Sequence, residues 1–143
     1  MTPKNYELIE HTADIGIRVK ARGPEDLFKK AALAMFDIIA DKKIEIKNEK
    51  LKIEKINIKQ KADNIEELFV NWLNELLSLS AIKAKIFCKF TFKNLDEKNL
   101  EATIEGCDIK DYKINTEIKA ATYHNLKVNQ IDIGWQAEVI FDT

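Results

Sequence analysis

The chain has 143 residues, of which 45% are apolar and 33% are charged. This length suits one domain, and the apolar share is enough for a core that needs no disulfide or metal to hold it together. The 23 Lys and Arg residues nearly balance the 24 Asp and Glu residues, for a formal net charge of −1. The chain therefore has no overall basic field, which disfavours a dedicated nucleic-acid binder.

No apolar run reaches the ~18 residues that a membrane-spanning helix needs, and the first residues lack the layout of a signal peptide. We therefore expect a cytoplasmic protein with no membrane partner.

The two cysteines, Cys88 and Cys107, lie far apart and have no CxxC or His-flanked spacing. The sequence thus gives little support for a zinc site or a redox pair. The pattern places Cys88 in the core and Cys107 near a turn.

The first elements follow from hydrophobic periodicity. Residues 5–9 are predicted to form a short strand, and residues 14–22 alternate between apolar and polar side chains, which is typical of a half-buried strand. A helix is predicted from Pro24 to about Ala40, because proline suits the first helical position and the apolar residues then recur with the helical period.

The middle of the chain is predicted to hold a strand and a second long helix. In the strand predicted over 51–60, the apolar residues before and after Glu54-Lys55 would fall on opposite faces of the strand. A bulge near Glu54-Lys55 would return all of them to the same face. Asp63 followed three residues later by Glu66 resembles a capping box, and a wide apolar stripe follows it.

The remaining elements are predicted to be strands. Residues 86–92 and 100–104 form a hairpin across the polar turn 94–99. The segment 115–128 could tolerate helix, but its composition favours strand. Alternation over 131–141 predicts a last strand.

This order of elements predicts the α+β class. We expect a single domain over residues 1–143, with a mixed β-sheet of about six or seven strands and two long helices packed on one face. Too few βαβ units are present for a doubly wound parallel fold.

Motifs of common enzyme classes are missing from the sequence. With only four glycines, neither a dinucleotide-binding loop nor a P-loop can be assembled, and there is no nucleophile elbow or HExxH motif. Three runs combine polar groups: HTADIG at 11–16, KAATYH at 119–124 and FDT at 141–143. Taken singly, each is explained better without a functional role: the first by turn hydrogen bonds, the second by a core or surface position in a strand, and the third by a solvated chain end.

Four motifs occur together in one order and spacing: HTADIGI at 11–17, the helical stretch from Glu67-Leu68 to WLNELL at 72–77, IKAATYH at 118–124 and VIFD at 139–142. With this combination the chain resembles the archease family over essentially its whole length. The resemblance implies a non-enzymatic accessory protein of tRNA splicing. Such a protein binds transiently to a GTP-dependent RNA ligase that joins a 3′-phosphate or 2′,3′-cyclic phosphate end to a 5′-hydroxyl end, and promotes its guanylylation and multiple turnover.

The resemblance also implies a metal site built from Asp14, Asp142 and the carboxylate of Thr143, with no catalytic residue of the chain's own. Asp14 at the start of one strand and Asp142 at the end of another could meet at one sheet edge. Oxygen ligands of this kind favour Ca²⁺, the expected ion, with Mg²⁺ or Mn²⁺ as alternatives.

Three further residues match the family's motifs. The resemblance makes Lys119 a candidate contact for nucleotide phosphates or for an acidic surface of the ligase. His11 and His124 are candidates for contacting the partner or for orienting Asp14.

Two other hypotheses stay open at this point. A stand-alone metal-dependent phosphoesterase would use Asp14 and Asp142 to hold the ion and His11 or His124 as a general acid or base. A general chaperone or RNA-binding module would suit the Lys-rich strand faces but conflicts with the near-neutral charge. Direct contact with RNA is left undecided.

Overall fold

A computed structural model describes residues 5–10, 14–43 and 53–143 of the chain. Within these ranges two helices, ten strands and a short 3-10 helix follow one another. The elements are β1 (Glu7–Glu10), β2 (Ile15–Ala21), α1 (Pro24–Ile39), β3 (Ala40–Lys42), β4 (Glu54–Lys61), α2 (Ile65–Lys83), β5 (Lys85–Leu95), β6 (Asn99–Asp108), the 3-10 helix (Ile109–Asp111), β7 (Tyr112–Ile114), β8 (Ala120–Ala121), β9 (Lys127–Ile131) and β10 (Gly134–Asp142).

The strands form three sheets, and every pairing within the described ranges is antiparallel. In the five-stranded sheet β10 is central. One of its edges pairs with β2, which in turn pairs with β1, and its other edge pairs first with β9 and then with β8. A three-stranded sheet has the order β4-β6-β5, and β3 pairs with β7 in a small separate ladder.

The two helices form a layer between the two larger sheets. Helix α1 contacts β2 and β10 on one side and β5 on the other, and α2 contacts β8 and β9 on one side and β4 and β5 on the other. A helix that is covered by a sheet on each of two sides must bury more of its surface than one narrow apolar stripe. The buried positions of α1 meet this need: Leu27, Phe28, Ala31, Ala32, Ala34, Met35, Phe36 and Ile39.

The predicted α+β class with two long helices is confirmed. The strand arrangement differs from the expected single mixed sheet of six or seven strands. The segment 115–128 contributes two short strands rather than one, and β3 and β7 have only three residues each. Strands this short carry no measurable periodicity, and the division into sheets depends on pairing between distant segments, which periodicity does not report.

The bulge predicted near Glu54-Lys55 is wrong for the part of this strand that the structure describes. From Glu54 to Lys61, β4 pairs with β6 without a register shift. The preceding residue, Ile53, is 52% exposed, so its side chain does not need to share the buried face. Register shifts occur in β5 instead, between Phe87 and Lys89 and again between Phe92 and Asn94.

The start of α2 lies one residue later than the capping-box interpretation placed it. The N-cap is Asn64, whose side chain accepts a hydrogen bond from the Glu67 backbone N–H at 2.8 Å. Asn and Asp cap helices equally well, so sequence alone does not choose between Asp63 and Asn64. Neither helix of the described ranges is long and apolar enough to cross a membrane.

Candidate functional site

The two predicted carboxylate residues lie at neighbouring ends of the two central strands, β2 and β10. In the β2/β10 ladder Gly16 lies opposite Ile140 and Ile15 lies opposite Phe141. Continuing this antiparallel register by one residue, just beyond the start of β2, puts Asp14 next to Asp142. Asp14 is half-buried and Asp142 is exposed, so an acidic pair lies at a solvent-accessible end of the five-stranded sheet.

Lys119 lies on the other side of Asp142. Strand β8 pairs with β10 so that Ala120 lies opposite Asp142, and the Lys119 backbone N–H donates a 2.8 Å hydrogen bond to the Asp142 carbonyl oxygen. The Lys119 residue is exposed. Asp142 is thus flanked by Asp14 on one neighbouring chain segment and by Lys119 on the other. We call Asp14, Lys119 and Asp142 the acidic strand end.

His124 follows on the loop that leaves β8. The Thr122 hydroxyl donates to the Ile140 carbonyl oxygen at 2.8 Å and accepts from the His124 backbone N–H at 3.3 Å. This pair of hydrogen bonds holds the start of the loop against β10, two residues before Asp142. His11 lies outside the described residues, so its predicted role stays a prediction. Thr143 directly follows Asp142 and, like Asp142, is exposed.

Asn74 of α2 is a positioning residue that the sequence did not single out. Its Oδ1 accepts from the Ala121 backbone N–H at 2.7 Å, and its Nδ2 donates to the Ala121 carbonyl oxygen at 3.2 Å. The Asn74 amide therefore occupies the edge of β8 that faces away from β10, where another strand would pair. A polar residue within the apolar WLNELL run of α2 was the available signal.

Replacing Asn74 with Ala is expected to destabilise the protein by about 1–2 kcal/mol, because both backbone groups of Ala121 lose a half-buried partner. Urea unfolding measures this loss, and amide hydrogen exchange at Ala121 should accelerate beyond the global change. The matched control is Asn71→Ala one turn earlier, where the backbone carbonyl and not the side chain accepts from Gln60. Equal losses in the two variants would contradict the positioning role.

A charged cluster joins the strands that lead to the acidic strand end. Arg18 of β2 donates to Glu138 of β10 at 2.6 Å and to Glu7 of β1 at 3.0 Å, and Lys127 of β9 lies 3.5 Å from Glu138. Partial burial acts to raise the pKa of Glu138, but the Arg18 hydrogen bond and charge outweigh it and lower that pKa. The carboxylate therefore stays ionised and cross-links the strands on the face away from the helices.

The acidic strand end offers some, but not all, of the ligands that a hard cation needs. Across residues 5–10, 14–43 and 53–143, no three His, Cys, Asp or Glu side chains come close enough together to hold a metal ion. Two carboxylates remain, and Ca²⁺ accepts such oxygen ligands together with main-chain carbonyls and water. Structural Zn²⁺ sites, by contrast, need four nitrogen or sulfur ligands.

These features define a small α+β protein in which a helical layer separates two antiparallel sheets and the central strands end in an acidic pair. The profile of the Archease protein family (MTH1598/TM1083) matches residues 6–143. The chain belongs to the archease family.

Individual relatives agree with this assignment. "Protein archease" of Methanosarcina barkeri is 37% identical, over 97% of this chain and 96% of the relative. "Protein archease" of Methanopyrus kandleri is also 37% identical, over 96% of this chain and 98% of the relative. The solution structure of Methanobacterium thermoautotrophicum protein 1598 has a TM-score of 0.73 and 28% identity, covering 99% of this chain and 100% of that one.

A Thermotoga maritima crystal structure, described as an archease and possible chaperone, has a TM-score of 0.66 and 26% identity. The structural match covers 94% of this chain and 94% of the Thermotoga maritima chain.

Proposed function

We propose that this chain is a cytoplasmic protein cofactor of tRNA splicing that binds transiently to a GTP-dependent RNA ligase and promotes guanylylation and multiple turnover of that ligase. Membership of the archease family supports the accessory role. The observation that supports the site is the register of β2 and β10, whose continuation by one residue puts Asp14 next to Asp142, the residue whose carbonyl oxygen accepts a hydrogen bond from the Lys119 backbone N–H.

In this proposal Asp14 and Asp142 hold a divalent cation, Ca²⁺ in the first place and Mg²⁺ or Mn²⁺ otherwise, with Thr143 supplying a further oxygen. The cation would supply positive charge to an end of the sheet that is otherwise acidic. Lys119, whose backbone N–H binds the Asp142 carbonyl oxygen, contributes a flexible ammonium group suited to nucleotide phosphates or carboxylates of the ligase. The chain itself breaks and forms no bond in the substrate.

The geometry favours a docking role over a stand-alone phosphoesterase. An enzyme of that kind needs a pocket that surrounds the substrate and excludes water. Asp142 and Lys119 are both exposed on the surface rather than enclosed. A partner protein can cover an exposed strand end of this shape, so that the complete site forms only in the complex.

The test is single-turnover guanylylation of the RNA ligase from the same organism, with limiting GTP and metal. Addition of the chain is expected to accelerate guanylylation by about tenfold or more, equivalent to a barrier lowered by about 1.4 kcal/mol. A parallel reaction contains the chain and phosphoester substrates without the ligase, and we expect no hydrolysis. An unchanged guanylylation rate with a folded chain and a competent ligase would overturn the proposal.

A further inference from the structure

The two cysteines lie in contact although nineteen positions separate them in the sequence. Cys88 of β5 and Cys107 of β6 are free thiols whose sulfur atoms lie 3.8 Å apart. Cys107 pairs with Ile86, and the register shift between Phe87 and Lys89 makes Cys88 the additional residue of a bulge. In this arrangement the Cys88 sulfur lies within contact distance of the Cys107 sulfur across the hairpin.

The two thiols differ in accessibility. Cys107, expected near a turn, is buried at 5% exposure, whereas Cys88, expected in the core, is exposed. The expectation for Cys88 was wrong because the bulge interrupts the alternation from which it was made, whereas Cys107 does lie next to the end of β6, two residues before the 3-10 helix. Cys88 lines an open cavity of about 210 Å³, whose other lining residues include Asp37, Asp41, Lys42 and Tyr112. A small molecule in solution can therefore reach Cys88 while Cys107 lies behind it.

We propose that Cys88 and Cys107 form a redox-active dithiol that exchanges with low-molecular-weight disulfides and closes to an intramolecular disulfide. The Cys88 thiolate attacks one sulfur of the small disulfide and releases the first thiolate. Cys107, after losing its proton to solvent, attacks the Cys88 sulfur of the mixed disulfide and releases the second. The chain loses two protons and two electrons, and the small disulfide is reduced to two thiols.

The surroundings of Cys88 make the exchange dependent on pH. Burial, followed by Cys107 and the charge of Glu105, raises the pKa of the Cys88 thiol to about 11, and Lys42 opposes this shift. Tyr112 lies beside both thiols, and burial raises the pKa of its hydroxyl to about 12. Two further ionisable groups line the cavity, Asp37 and Asp41. Below its pKa the thiolate fraction of Cys88 grows about tenfold per pH unit, so we expect the exchange rate to rise similarly.

The test treats the reduced full-length chain with oxidised glutathione at mildly alkaline pH, then alkylates the remaining thiols after denaturation and measures the intact mass. We expect both thiols to become unavailable, the mass to fall by two hydrogen atoms, and dithiothreitol to reverse the change. The oxidised chain should also melt roughly 5 °C or more higher, because the new bond restricts the unfolded chain.

Two variants separate the roles of the thiols. Cys107→Ala is expected to stop at a glutathione adduct on Cys88, and Cys88→Ala is expected to keep Cys107 reduced because that thiol is buried. The wild-type mass decides the proposal even where a variant folds poorly. A wild-type chain that ends as a glutathione adduct, as a disulfide-linked dimer or with both thiols alkylated would overturn it.

Discussion

Replacing both Asp14 and Asp142 with Asn is expected to abolish calcium binding and the stimulation of the ligase. The two side chains keep their size and lose the negative charges that a hard cation needs. In metal sites, removing a residue that only hydrogen-bonds to a ligand already lowers metal affinity by about 10–100-fold. Loss of both carboxylate ligands themselves should lower it by more. Stimulation of guanylylation should therefore return to the level of the ligase alone.

Thermal unfolding provides an independent measurement of the same substitution. If the proposed site binds calcium in the folded state only, calcium at about 100 times its dissociation constant is expected to add about 2.7 kcal/mol to the stability of the wild-type chain. For a chain of 143 residues this raises Tm by about 10 °C. The double variant should melt at the same temperature with and without calcium.

The matched control is Asp132→Asn, which removes an exposed carboxylate from the turn between β9 and β10. It should leave both the calcium shift and the stimulation of the ligase unchanged. A double variant of Asp14 and Asp142 that folds, binds calcium and still stimulates the ligase fully would show that the acidic strand end is not the metal site.

The second large effect is expected from Trp72→Ala, with a loss of about 4 kcal/mol of stability. Trp72 is fully buried, and its ring centroid lies 5.7 Å from that of Phe90 and 5.1 Å from that of Phe92 in β5. Its indole N–H donates to the Phe28 carbonyl oxygen of α1 at 3.1 Å. One side chain thus joins both helices and the three-stranded sheet.

Circular dichroism during urea unfolding measures this loss without relying on tryptophan fluorescence. Trp72→Phe keeps an aromatic ring but leaves the Phe28 carbonyl without its indole donor, and an intermediate loss of about 1–3 kcal/mol is expected. Ile133→Ala, at a side chain that is 87% exposed, should change stability by less than about 0.5 kcal/mol. Similar values for Trp72→Ala and Ile133→Ala would contradict the central place of Trp72 in the core.

Local signals in the sequence were enough for most of the secondary structure. Pro24 and the apolar period that follows it located α1, and the WLNELL run located the buried face of α2. The hairpin of β5 and β6 and the last strand followed from alternation. These features depend on side chains within a few positions of one another, so a single stretch of sequence contains the information.

By itself, the sequence determined the α+β class, the two helices and the nomination of Asp14, Lys119 and Asp142. The tertiary structure alone decided that the helices lie between two sheets, that Asn74 holds Ala121, and that Cys88 contacts Cys107. The physical reason is that such contacts depend on strand register and on how the layers pack. A shift of one residue moves a side chain to the opposite face, and the local pattern does not record which distant strand will be its neighbour.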